Sequence, residues 1–352
     1  MKKPLPLPRG VIAALGAALL FGAGTPLAKL LLAQTSPWLL AALLYLGSGL
    51  GLAALRRLRN APAVRLPPGE AKWLAGAVVA GGILGPVLLM WGLAGMAASG
   101  ASLLLNAEAV FTALLAWFVF KENVDRRVAL GMGLIVAGGL ALAWPGSLSW
   151  PGWQPACLVV GACLAWGIDN NLTRKVSLAD ASWIAMVKGL AAGATNLVLA
   201  LSLGVVWPAA PVVLAAALVG FASYGASLAL FVVALRELGT ARTGAYFSVA
   251  PFFGAVLAIA VLGEPVTPAL LAAGALMAAG VALHLSERHE HRHTHVVMEH
   301  VHEHEHGAGD AHHDHLHEPP VAPGTRHSHP HLHVPMVHSH SHFPDAHHRH
   351  GH

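Results

Sequence analysis

Two groups of residues in this sequence have the types and spacing for chemistry, and they lie in different parts of the chain. The first centres on Glu108, a single carboxylate in the middle of ASGASLLLNAEAVFTALLAWFVFKE (98–122), which is otherwise apolar or small up to Lys121-Glu122. An acid there either binds a cationic group or carries a proton; the structural alternative is a protonated carboxyl bonded to a neighbouring helix. Asp169-Asn170-Asn171 form a second polar cluster with Arg174 and Lys188 in pairing range, suited to a cavity mouth or to an ion-paired helix end. Asn106, Ser102, Tyr246 and Ser248 offer hydrogen-bonding groups to a cavity or serve as glue between helices. Lys29, near the end of an apolar run, either meets an anionic group or snorkels to the interface.

The second group is histidine. Of 24 histidines, 23 lie in 286–352, many alternating with another residue: His289, His291, His293 and His295; His300, His302, His304 and His306; His338, His340 and His342. Neutral imidazoles spaced by two suit Zn, Ni, Co or Cu, for buffering or sensing, and free histidines also titrate near neutrality. The first 283 residues hold no histidine, which excludes a histidine triad or metalloprotease site from them, and no phosphate-binding loop is present. An enzyme is therefore not expected, and no cofactor is required.

The elements that must position these residues are hydrophobic spans. The chain is 55% hydrophobic and 11% charged, against about 25% charged in soluble domains. Its mean hydropathy is +0.60 and its pI near 9.3, but the basic residues fall between apolar runs and form no patch for nucleic acid. Ten spans can be drawn: 11–32, 37–55, 71–93, 98–120, 128–144, 155–172, 183–204, 211–234, 242–262 and 266–285, each near the ~20 residues that cross a bilayer. Turn-formers such as Ser36-Pro37, Pro67-Pro68-Gly69 and Gly263-Glu264-Pro265 separate them. With the N-terminus placed in the cytoplasm, 19 of the 21 lysines and arginines fall on that side and none in the outer loops; Lys29 and Lys188 lie within spans. Both termini are thus expected in the cytoplasm, in the inner (plasma) membrane. Cys157 and Cys163 share one span and read as packing residues. The glycines of 131–139, with Gly274 and Gly280, allow close helix approach, within the chain or in a homodimer.

The second half echoes the first. Residues 101–124 match 243–266 at an offset of 142, and Gly22, Lys29 and Trp38 match Gly167, Arg174 and Trp183 at 145. A unit of five spans is odd, so the second copy must insert upside down, as in many secondary transporters. The expected organisation is a cytoplasmic segment (1–10), two inverted five-helix repeats (11–145 and 154–285), and a disordered His-rich cytoplasmic tail (286–352) that lacks the composition for a core. The fold class is an all-α membrane protein of ten transmembrane helices.

Phe21-Gly22, Trp38, Leu105-Asn106-Ala107-Glu108 through Trp117 to Glu122, and Ala250-Pro251-Phe252 through Leu262-Gly263-Glu264 together resemble the EamA-type branch of the drug/metabolite transporter superfamily over about residues 10–285. Ala109 stands where the family pattern has proline, whereas the ninth span keeps Pro251. The resemblance implies two five-helix units and secondary active transport, by alternating access and in the export direction, of a small metabolite or drug-like solute. A divalent-metal exporter or metal-regulated carrier using the tail is the rival reading, and a membrane-anchored metal buffer or sensor is a third.

Overall fold

The computed structural model describes residues 9–67, 69–120, 126–143, 150–176, 179–234, 246–285, 290–295, 298–305, 326–333 and 336–341. Seven helices among them are long and apolar enough to cross a membrane: Arg9–Leu32, Pro37–Leu58, Ala71–Ala94, Ala98–Val119, Gly152–Thr173, Ala181–Ser202 and Ala210–Ala234. Three shorter apolar helices, Ala129–Leu142, Ala250–Leu262 and Pro268–Leu283, stand at the places of the fifth, ninth and tenth spans. Helices apolar on all sides bury backbone polarity within themselves, which is the condition for residing in lipid. The bundle is an all-α, multi-pass membrane fold.

Small residues set the approach of the spans. The second and seventh cross backbone to backbone: a Cβ on Gly49 would lie 2.6 Å from the Leu190 amide nitrogen, and one on Gly189 would lie 2.8 Å from the Gly49 Cα. The fifth and tenth pack in the same way, where a Cβ on Gly138 would lie 2.9 Å from the Ala273 carbonyl and one on Gly280 2.6 Å from that of Gly131. Of the glycines read as candidates for close approach, Gly138 and Gly280 are used in this way inside the chain, whereas a Cβ on Gly133 would meet nothing within 4 Å. Ser36 starts the second span by accepting from the Leu39 N–H (3.2 Å), with Pro37 in the first turn. Asp180 starts the seventh by accepting from the Trp183 N–H (3.0 Å).

Four central spans depart from continuous α-helix, the third and ninth of them beside Pro86 and Pro251. The third carries a π-helical segment at Val78–Leu84 and the eighth another at Phe221–Ala226. The fourth is broken into Ala98–Leu104 and Ala107–Phe120 by a turn at Leu105-Asn106, and in the ninth a turn at Ser248-Val249 precedes Ala250–Leu262. The cause in the third span is local. The Gly85 N–H reaches back five residues to Ala80 O, and Pro86 has no N–H, so the carbonyls of Gly81 and Gly82 lose their helical donors.

The tail, residues 288–352, separates from the bundle as a unit of its own. Among its described residues are four strands. β1 (Glu290–His295) pairs antiparallel with β4 (Met336–Ser341), and β2 (Met298–Glu305) with β3 (Arg326–His333). The period-two alternation that suggested metal binding is also a strand pattern. Glu122, His289, His306 and His342 lie outside the described residues.

Candidate functional site

The break in the fourth span puts Glu108 in the first turn of a new helix at mid-span. Its Oε1 accepts from Asn170 Nδ2 at 2.8 Å, and the same amide reaches Thr112 Oγ1 at 3.2 Å. Thr112 lies four residues past Glu108, hence on the same helix face. Beside them Asp169, 5% exposed, receives Lys188 Nζ on both carboxylate oxygens at 2.6 Å and the Thr173 hydroxyl at 2.8 Å. Of the two cations considered as partners for Asp169, the fold brings Lys188. Asn171 Nδ2 donates to the carbonyls of Gly167 (2.8 Å) and Thr112 (3.2 Å), tying the sixth span to the fourth where Gly167 lets them touch.

The carbonyls released in the third span find side-chain donors. Gly81 O accepts from Tyr45 Oη and from Trp166 Nε1, each at 2.9 Å, and Gly82 O accepts from Asn196 Nδ2 at 3.2 Å. Gly81 is required here because a Cβ would run into the Asp169 carboxylate. From Tyr45 a chain of rings leads away from the charges. Tyr45 to Tyr224 is 5.5 Å between centroids, Tyr224 to Phe21 5.9 Å, Phe21 to Phe247 5.3 Å and Phe247 to Phe231 4.9 Å. Glu108, Tyr45 and Tyr224 are each half-buried among the spans. One side of this central cluster is charged, from the fourth, sixth and seventh spans. The other is aromatic, from the first, second, eighth and ninth.

The remaining candidates fall elsewhere. Asn106 is 5% exposed and donates to Leu103 O (2.9 Å) and towards Met277 Sδ (3.9 Å), so it closes the helix break and touches the tenth span. Tyr246 packs on Ala13, Ala14 and Ala234, and Ser248 lies in the turn before the ninth-span helix. Buried Cys163 donates to Leu104 O at the same break (3.6 Å), while Cys157 is exposed. The Lys29 amine bonds the carbonyls of Leu93 (2.6 Å), Met96 (2.9 Å) and Ala94 (3.2 Å) at the end of the third span. Tyr45, Thr112, Trp166 and Tyr224 were not singled out from sequence. Thr112 had a signal in its i+4 spacing from Glu108, and Tyr45 and Tyr224 are two of only three tyrosines. Trp166 had none.

Where the spans meet the aqueous face, Arg56 pairs with Asp180 at 2.7 Å and bonds Ser182 Oγ at 2.6 Å. Burial alone pushes the Asp180 carboxyl up, but the Ser182 hydroxyl, the Trp183 N–H and the Arg56 guanidinium outweigh it and hold it below the usual carboxylate range.

A helical bundle with broken central helices around a polar, partly aromatic cluster is the architecture of a solute carrier. The chain belongs to the EamA-like transporter family, whose pattern it matches twice, over residues 8–144 and 153–286. It is similar to a protein described as an uncharacterized transporter from Methanothermobacter thermautotrophicus, with 29% identity over 290 residues, covering 77% of this chain and 84% of that one. A solved crystal structure covering 78% of this chain and 94% of its own superposes with a TM-score of 0.60 at 18% identity, a likeness of fold alone. The protein is thus a multi-pass membrane transporter of the drug/metabolite type, and not an enzyme.

Proposed function

We propose that this transporter is a proton-coupled exporter of small cationic solutes with an apolar or aromatic body, with Glu108 as the group that exchanges proton for cargo. The observation that carries the reading is the charge arrangement around Glu108 and Asp169. Lys188 is matched to Asp169, whereas the hydrogen-bond partners seen for Glu108 among the described residues are neutral. An ionised Glu108 at mid-membrane therefore needs a compensating positive charge, which a proton or a cationic cargo supplies in turn. The ring chain offers the cargo's body apolar surface and its charge cation–π attraction, worth up to ~2 kcal/mol when desolvated. Outward direction follows from the family resemblance, and the plasma membrane with both termini cytoplasmic from the distribution of basic residues.

The test is vesicle transport with the purified full chain, using a panel of aromatic amines, neutral aromatic solutes and carboxylates. Amines alone should exchange against a proton gradient, and E108Q should abolish the coupling while leaving the folded yield unchanged. Equal flux of E108Q and the parent, with the same pH dependence, would remove Glu108 from the mechanism.

For the tail we propose capture of Zn, Ni, Co or Cu on the cytoplasmic side. What favours it is the strand register, which sets His291 opposite His340, His293 opposite His338, His300 opposite His331, His302 opposite His329 and His304 opposite His327. Equilibrium dialysis of the full chain against nickel, beside a chain ending at 285, should show metal bound only with the tail. Nickel flux in vesicles that requires the tail would instead make the metal the cargo.

A further inference from the structure

We infer that Lys29 and Glu264 are working residues of the transport cycle: together they form a latch that holds shut the face of the bundle opposite the N-terminus. Both grip the turn between the third and fourth spans, from its two sides. Lys29 covers the carbonyl side, taking Leu93 O, Ala94 O and Met96 O at the end of the third span. Glu264 covers the amide side, with Oε1 accepting from the Ala98 N–H at 2.6 Å and Oε2 from the Ser99 N–H at 2.8 Å. A cation on the last carbonyls and a bidentate carboxylate on the first amides each complement the helix end they meet. Gly263, in the left-handed region at φ 66°, ends the ninth-span helix and turns the chain to present Glu264.

The grip joins the two repeats. The turn and Lys29 belong to the first, Glu264 to the second, and the turn also presses on the start of the sixth span, where a Cβ on Gly95 would lie 2.7 Å from the Pro155 ring. Beneath the turn the bundle is dry: Ala98 is 0% exposed, Ser99 3% and Ser102 1%, while Asn170 at the acidic site is exposed. The Ser102 hydroxyl supplies a second, independent observation. It is buried against Gly254 of the ninth span with no hydrogen-bond partner among the described residues. A polar group left unsatisfied in the shut state gains by hydration when the fourth and ninth spans part, so the plug is built to open. Ordinary helix caps need neither the cross-repeat carboxylate nor a strained hydroxyl below it.

The experiment places one reporter cysteine at Ser102 in the full chain, with Cys157 and Cys163 replaced by serine. Vesicles of known orientation are exposed to a membrane-impermeant thiosulfonate from the face opposite the N-terminus. Labelling should be slow with the latch intact and about tenfold faster in K29M or E264Q, the effect of losing one set of charge-assisted hydrogen bonds. K29R should restore protection. Lower melting temperatures in K29M and E264Q with unchanged labelling would reduce both residues to helix caps and overturn the latch. Labelling as fast in the parent as in the variants would overturn it as well. The readout involves neither cargo nor proton, so either result leaves the role of Glu108 to its own test.

Discussion

The first and sixth spans occupy equivalent places in the two repeats and do opposite things at the centre of the molecule. At the offset of 145, Gly24-Thr25-Pro26 stand where the sixth span has Asp169-Asn170-Asn171, and Leu43 stands where the seventh has Lys188. At 142, Ala250 stands opposite Glu108. The helix breaks, by contrast, occur in both halves, at 105–106 and 248–249 and in the π segments of the third and eighth spans. The scaffold is duplicated and the charge is not. Breaks belong to the way five helices fold around a cavity, whereas an ionisable group in lipid is costly and is kept where it has a task. The crossings make the same point. Gly22 admits the ninth span and Gly167 the fourth, but only the second crossing is tied by a side-chain amide, because Pro26 stands where Asn171 would be.

The largest effect on stability should come from unbalancing the charged half. D169N leaves the Lys188 amine, 18% exposed, without its carboxylate, at a cost of about 3 kcal/mol. D169N/K188L, which gives the seventh span the leucine of the second, should recover most of it in thermal melts of the purified protein. No recovery would mean that the pair shapes the bundle as well as neutralising itself. Next, G22V and G167V test whether the two crossings are equally tight, each costing about 1–3 kcal/mol by overpacking. The first should be worse, because its side chain meets the Ala250 carbonyl, whereas a Cβ on Gly167 meets that of Phe111 at 2.9 Å. N171L should cost about 1 kcal/mol through lost hydrogen bonds, with no matching loss for P26L, whose parent makes none.

The smallest effect separates the caps of the second and seventh spans. Asp180 has a folded pKa held below its unfolded value of ~3.9. Its contribution is therefore complete above that value and is lost as the pH falls through the folded pKa. Ser36 does not titrate. S36A should cost about 1 kcal/mol at every pH, whereas D180N should cost a similar amount near neutrality and nothing in strong acid. Melting curves between pH 3 and 7 distinguish the two.

Much of the fold was legible because lipid imposes simple rules. Runs of ~20 apolar residues had to be helices, and Glu108 announced itself as an acid in such a run. The partner of Asp169 was readable only as one of two cations, since choosing between Arg174 and Lys188 depends on how the seventh span leans on the sixth. The carbonyl partners of Lys29 were not readable because its distance along the chain from Leu93 hides that the third span ends beside it. Pro86 and Pro251 mark the interruptions of the third and ninth spans in the sequence, since a proline frees a backbone carbonyl, whereas those of the fourth and eighth have no such sign because hydropathy does not register hydrogen-bond periodicity.

By itself the sequence determined that the chain is a duplicated bundle of membrane helices with an acid in one arm and a histidine-laden end. Those properties depend on composition, period and repeat, all carried along the chain. Tertiary structure alone decided which charges are matched, which carbonyls are released, and that Lys29 and Glu264 close on the same turn. Such matters rest on distances of a few ångströms between residues tens to hundreds of positions apart, and only packing brings those residues together.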